Sequence, residues 1–199
     1  MMYSFLCYFI LFLIYSFIGW IIDIIGGYFD TKKIINRGFL IGPWCPIYGI
    51  ASLCMITIIN QYKSNLLLFF TLTVLIASLI EYFVSYSMEK LFRARWWDYS
   101  RNSFNINGRI CLLNSIFFGI LGTLLIYIIN PALETIIKLN PKVPFYTLSI
   151  LLLILFLLDV IISSTIMNKL KTDFKLKKAD NTIEITKAMK EKILKRSFL

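Results

Sequence analysis

Residues 66–88 read LLLFFTLTVLIASLIEYFVSYSM, with Glu81 as the only charge. A helix needs about 20 mostly apolar residues to cross the ~30 Å hydrocarbon core of a bilayer, and this run supplies them. At 100° per residue, Thr71, Ser78, Glu81, Ser85 and Glu89 fall within a stripe of about 80°. The pattern predicts a membrane span whose polar side faces protein.

Similar runs lie on both sides of it. Residues 3–28 carry one charge, Asp23, and residues 145–168 carry one, Asp159. Residues 44–60 and 110–129 carry none. Pro43 suits the start of the helix after it. The expected fold class is all-α, a polytopic membrane helix bundle over residues 1–168 with about five transmembrane helices and short interfacial helices. Composition agrees: of 199 residues, 58% are hydrophobic and 16% charged, and the mean hydropathy is +0.75. A soluble domain of this size could not bury that much apolar surface. The first run is too long for a signal-peptide core and lacks a basic segment before it, so it reads as a span.

Basic residues set the expected orientation. Lys32, Lys33 and Arg37 follow span one. Lys90, Arg93, Arg95, Arg101 and Arg109 follow span three, and ten more lie from Lys169 to Arg196. The opposite side holds only Lys63, Lys138 and Lys142. This bias predicts a cytoplasmic side for the basic loops and the C-terminus, and an outside N-terminus. The formal net charge of +10 is accounted for in this way, and no groove-reading motif points to nucleic acid. In the tail, residues 169–199, Asn181 with Glu184 is a helix start. Ile185, Ala188, Met189 and Ile193 then share one face amid lysines, which predicts an amphipathic surface helix on anionic lipid. Asn130-Pro131 followed by Glu134 predicts a separate short interfacial helix.

The chemistry available is narrow. There is no His, which removes imidazole acid–base catalysis and His-ligated metals. Cys7, Cys45, Cys54 and Cys111 lack Cys-x-x-Cys spacing, so no redox or zinc motif is present. No catalytic residue, metal or cofactor is expected. Ionisable groups inside spans are costly and turn toward partner helices or cavities. Asp23, Glu81 and Asp159 lie in the halves of their spans nearest the basic loops and are expected to converge there. With Arg37, Glu89, Asp98, Asn107, Arg109 and Asn114 they form the candidate polar cavity or substrate-binding set. The alternative is that the acids pair with Arg37, Arg95 or Arg109 and simply hold the bundle together.

Two loops accompany the acids. Gly38, Gly42, Pro43, Pro46 and Gly49 crowd a membrane entrance, where irregular backbone persists only inside protein or beside water. Beyond span three, Trp96, Trp97 and Tyr99 suit an interfacial belt. Asn107, Gly108 and Arg109 suggest a partly inserted loop. Arg109 is placed to pair with Asp98 or Glu81, or to hold a phosphate. In span four, Ser115, Gly119 and Gly122 allow close helix approach.

These blocks together resemble the ABC-transporter permease family of the CmpB type. The match rests on Gly19-Trp20 followed by the acid Asp23, on Gly38 to Gly49, and on Glu81 through Gly122. It departs at Asp23, where the family often has Glu, at Ser103, where Pro is common, and at Phe118, where Trp is common. The resemblance implies a multi-span protein of the bacterial cell membrane, concerned with transport. The sequence has no Gly-x-x-x-x-Gly-Lys-[Ser/Thr] loop, so ATP hydrolysis by that route would need a separate ATPase subunit.

The leading expectation is therefore a non-enzymatic, permease-like membrane component with a polar cavity open to the cytoplasm. Its partners would be the bilayer, anionic lipid at the tail, and a separate ATPase or a second copy of the chain. Two alternatives are a membrane enzyme acting on a lipid-linked substrate through Glu81, Asp98, Asn107 and Arg109, and a scaffold that docks partners on its tail.

Overall fold

The computed structural model describes residues 2–32, 36, 38–139, 142–170, 184–185 and 187–189. Most of them are helical. Helix α1 (Met2–Thr31) is followed by α2 (Pro46–Cys54), a π-helical turn (Met55–Ile59) and a 3-10 turn (Asn60–Tyr62). Then come α3 (Leu66–Phe92), a hairpin of β1 (Asn105–Ile106) and β2 (Ile110–Cys111), α4 (Leu112–Leu124), a second π turn (Leu125–Ile129), α5 (Asn130–Leu139) and α6 (Lys142–Leu170). Among the described residues, four helices are long and apolar enough to cross a membrane: Tyr3–Phe29, Leu66–Phe92, Leu112–Ile137 and Pro144–Leu170. The chain is a multi-pass membrane protein. Its outward surface carries Leu67, Leu79, Phe83 and Leu113, as lipid-facing helices require.

The second predicted span differs. The segment from Pro46 consists of nine α-helical, five π-helical and three 3-10 residues. It is shorter than the four long helices because the chain before it stays irregular. Pro46, not the expected Trp44, occupies the first turn, with Cys45 as the cap. The Cys45 N–H donates to the Ser16 carbonyl at 2.9 Å. Ser16 is midway along α1, so the loop reaches deep into the bundle.

The fourth span is longer than predicted. Asn130-Pro131 does not begin a separate helix, because α4, the π turn and α5 form one continuous helix. Proline lacks the N–H that would bond the carbonyl four residues back. The π turn lies immediately before it, and the Asn130 N–H donates to Leu125. Prolines in long helices are commonly accommodated by such local widening.

Small residues and hydroxyls join the helices. A Cβ on Gly19 would lie 2.1 Å from Tyr48 Cγ, so α1 and α2 pack with almost no gap there. Ser78 donates to Ser115 at 2.7 Å across α3 and α4. A cluster of Leu6, Leu11, Tyr15, Ile137 and Phe145 fills the end where α1 and α6 begin. Met55, Ile59, Phe69, Ala77 and Ile126 fill the middle, joining both π turns.

At the basic end, where α1, α3 and α6 terminate, Phe92, Ala94, Trp96, Ile166, Met167 and Leu170 form a third cluster. Ile185 and Met189 are buried in it, with Ala188 against its edge. The apolar face expected to lie on lipid is, at these residues, turned into the bundle. Asn181 and Ile193 lie outside the described residues.

Candidate functional site

The buried face of α3 is Phe69, Thr73, Ala77, Glu81 and Ser85, spaced four residues apart. Thr71, placed on that stripe by the sequence, is exposed and returns its hydroxyl to the Leu67 carbonyl at 2.8 Å. A lipid-facing threonine has no other acceptor in hydrocarbon. Thr73 takes the buried position.

Glu81 is 4% exposed. Its Oε1 accepts from the Tyr99 hydroxyl at 3.0 Å, and its Oε2 has no hydrogen-bond partner. Asn114, at the start of α4, lies beside Tyr99. On α1, Asp23 Oδ1 accepts from the Tyr48 hydroxyl at 2.6 Å, and Cys45 Sγ lies 3.4 Å from its Oδ2. Asp23 is within electrostatic reach of both Glu81 and Tyr99. One half-buried patch thus gathers groups from α1, α2, α3, α4 and the hairpin segment. Burial, and next the neighbouring Glu81 carboxyl, push the Tyr99 phenol well above its ordinary value of 10.0. The phenol therefore remains a donor.

A second cluster lies toward the basic end. Glu89 Oε2 accepts from Arg95 Nη2 at 2.9 Å and Arg109 Nη2 at 2.7 Å. Arg95 Nη1 also reaches Asp98 Oδ1 and the Asn107 carbonyl, each at 3.3 Å. Arg109 Nη1 donates to Ser85 Oγ at 3.2 Å. Its guanidinium sits 5.8 Å from the Tyr82 ring and 5.4 Å from the Tyr86 ring, a cation–π setting. Arg109 meets neither Asp98 nor Glu81 among these contacts. Its Nη2 serves Glu89 and its Nη1 serves Ser85.

The hairpin that carries Arg109 turns through Asn107 and Gly108, both with positive φ (53° and 67°). Glycine suits such a position. Here a Cβ would also lie 2.3 Å from Asp98 Oδ1. Asn107 is exposed at the turn and donates to Tyr82 at 2.9 Å. Trp97 Nε1 donates to the Arg109 carbonyl at 2.9 Å. Trp96 is buried with Phe39 and Phe92 rather than standing in an interfacial belt.

Asp159 serves the other loop. Its Oδ1 accepts from the Ile41 N–H at 3.1 Å and its Oδ2 from the Gly42 N–H at 2.9 Å. Ser163 Oγ donates to Asp159 Oδ1 at 2.9 Å. Asn36 completes the loop, accepting from Gly38 N and Trp20 Nε1, each at 3.0 Å. These bonds satisfy irregular backbone inside the bundle. The third intramembrane acid is thus committed to the loop, while Asp23 and Glu81 share a patch. Arg37 lies outside the described residues.

Sequence reasoning passed over Tyr48, Cys45 and Tyr99 as site groups, treating them as loop or interface residues. The signal for the tyrosines is chemical: intramembrane carboxyls need donors, and Tyr48 just after one irregular segment and Tyr99 within the other stand nearest Asp23 and Glu81. Among the described residues, no group of three or more His, Cys, Asp or Glu could hold a metal ion. A family model described as "Putative ABC-transporter type IV" matches residues 10–164. No curated protein and no solved structure matches the chain.

Proposed function

Because the chain belongs to this ABC-transporter type IV family, we propose that it is the membrane subunit of a bacterial inner-membrane transporter whose ATPase is a separate chain. The basic end faces the cytoplasm, following the distribution of lysine and arginine. The patch of Asp23, Tyr48, Glu81, Tyr99 and Asn114 is the solute path, opening toward that end between the Gly38–Gly49 loop and the hairpin. The observation that carries this reading is Glu81: a carboxyl nearly sealed from solvent, with one oxygen unsatisfied. A purely structural acid would have both oxygens bonded, as Asp159 has. Leaving a buried polar atom unbonded costs about 1–3 kcal/mol.

Hydrolysis of ATP by a partner fits a sequence without a phosphate-binding Gly-Lys loop. The hairpin and the inner ends of α3 and α6 are the surface such a partner would engage. The test uses a cysteine-free variant carrying single cysteines at Tyr48 or Asn114. In inverted membrane vesicles, a membrane-impermeant maleimide should label both, and in right-side-out vesicles neither. Absence of labelling from the basic side would reduce the patch to packing. Purification from native membranes should yield an ATP-hydrolysing subunit in defined stoichiometry.

A further inference from the structure

The chemistry of the patch narrows its ligand. Its side chains offer oxygen acceptors: Glu81 Oε2 without a donor, Glu81 Oε1, the Asp23 carboxyl and the two tyrosine oxygens. Glu81 joins none of the ion pairs among the described residues, because Arg95 and Arg109 are bound to Glu89, two helical turns away. The groups that act on Glu81 are Tyr99 from the hairpin segment and Asp23 from α1; Tyr48 from α2 bonds Asp23, and Asn114 from α4 lies beside Tyr99. The tyrosines add aromatic surface, with Tyr48 edge-on to Phe118 at 5.9 Å between centroids.

We propose that Glu81, with Asp23, Tyr48 and Tyr99 around it, recognises a protonated primary amine on the transported solute. An alkylammonium carries three N–H donors and a positive charge. It can bond Glu81 Oε2, use the phenolic oxygens as further acceptors, and rest against aromatic rings. A bare Ca2+ or Mg2+ ion takes six or more oxygens in one shell, and the described residues gather no such acid cluster. This proposal rests on the transport reading above and names its substrate class.

The experiment uses the whole chain in lipid nanodiscs. Ethylammonium chloride is titrated at constant ionic strength, against sodium chloride and tetramethylammonium chloride, and the thermal unfolding midpoint is followed. Only ethylammonium should raise the midpoint, by ligand-linked stabilisation. Glu81→Gln should weaken that response by about tenfold or more, the worth of a charged hydrogen bond. Should Glu81→Gln fail to fold, Tyr99→Phe keeps the carboxyl and should still weaken the response several-fold. Equal responses to sodium or tetramethylammonium, or an unchanged response in the variants, overturn the proposal. If the amine is silent while cysteines at Tyr48 and Asn114 still label from the basic side, the substrate class falls and the transport reading stands. If labelling also fails, both fall.

Discussion

Asp159 holds Gly42 across 117 positions of sequence: its Oδ2 accepts from the Gly42 N–H at 2.9 Å, which fastens the loop before α2 to α6. The carboxylate also takes the Ile41 N–H and the Ser163 hydroxyl. Asp159→Ala should therefore loosen the loop and cost about 1–3 kcal/mol. Asp159→Asn, which keeps one acceptor, should cost less. Thermal unfolding in detergent, with protease susceptibility near Gly42, measures both; equal stability of all three proteins would contradict the assignment.

Glu89 receives two guanidinium groups on one oxygen. Glu89→Gln should be more damaging than Arg109→Gln. The first leaves two largely buried cations short of their counter-charge, the second only rearranges a pair that Arg95 retains. Removing one partner of a buried ion pair typically costs about 3–5 kcal/mol. Membrane abundance and unfolding midpoints of the two variants should rank in that order.

Tyr99 gives a pH dependence with a definite sign. Its phenol is raised above 10.0 in the folded chain, first by burial and then by Glu81. Above the unfolded value, the unfolded chain gives up this proton while the folded chain keeps it. Stability is thus intact below about pH 10 and falls as pH rises above it. Tyr99→Phe should flatten that alkaline decline. An identical slope in both proteins would show that Tyr99 is not the group responsible.

Gly108→Ala brings a methyl group to a φ of 67° and within 2.3 Å of Asp98. The hairpin should shift, taking with it the Gly108 carbonyl that holds the Tyr99 N–H at 2.8 Å. Strain of this kind costs about 1–3 kcal/mol. Fluorescence of Trp97, tied to the Arg109 carbonyl, should change in the same variant, while Thr71→Val on the lipid face should leave it unaltered.

Hydropathy made the long helices legible. The run 66–88 became Leu66–Phe92, and 145–168 became Lys142–Leu170. The polar face of α3 was also readable, because only helical spacing was required; Thr71 for Thr73 was the slip at its edge. Three features were not readable. Asp159 bonds backbone N–H groups, which leave no trace in residue types. A proline that starts a helix and one carried inside a helix after a π turn look alike in sequence, so Asn130-Pro131 was read as a boundary. The pairing of Tyr48 with Asp23, and of Tyr99 with Glu81, depends on how deep two irregular loops reach, and composition does not encode depth.

The seat of Ile185 and Met189 among Phe92, Trp96 and Met167 has a consequence for biosynthesis. Chains mature from the N-terminus as the ribosome delivers them. The long helices can therefore be assembled while these aromatic and sulfur-bearing side chains still stand bare to the aqueous phase. The stretch made after α6 completes their cover. A nascent chain halted at Leu170 would display that sticky surface, which gives quality-control proteases a way to tell an unfinished molecule from a finished one.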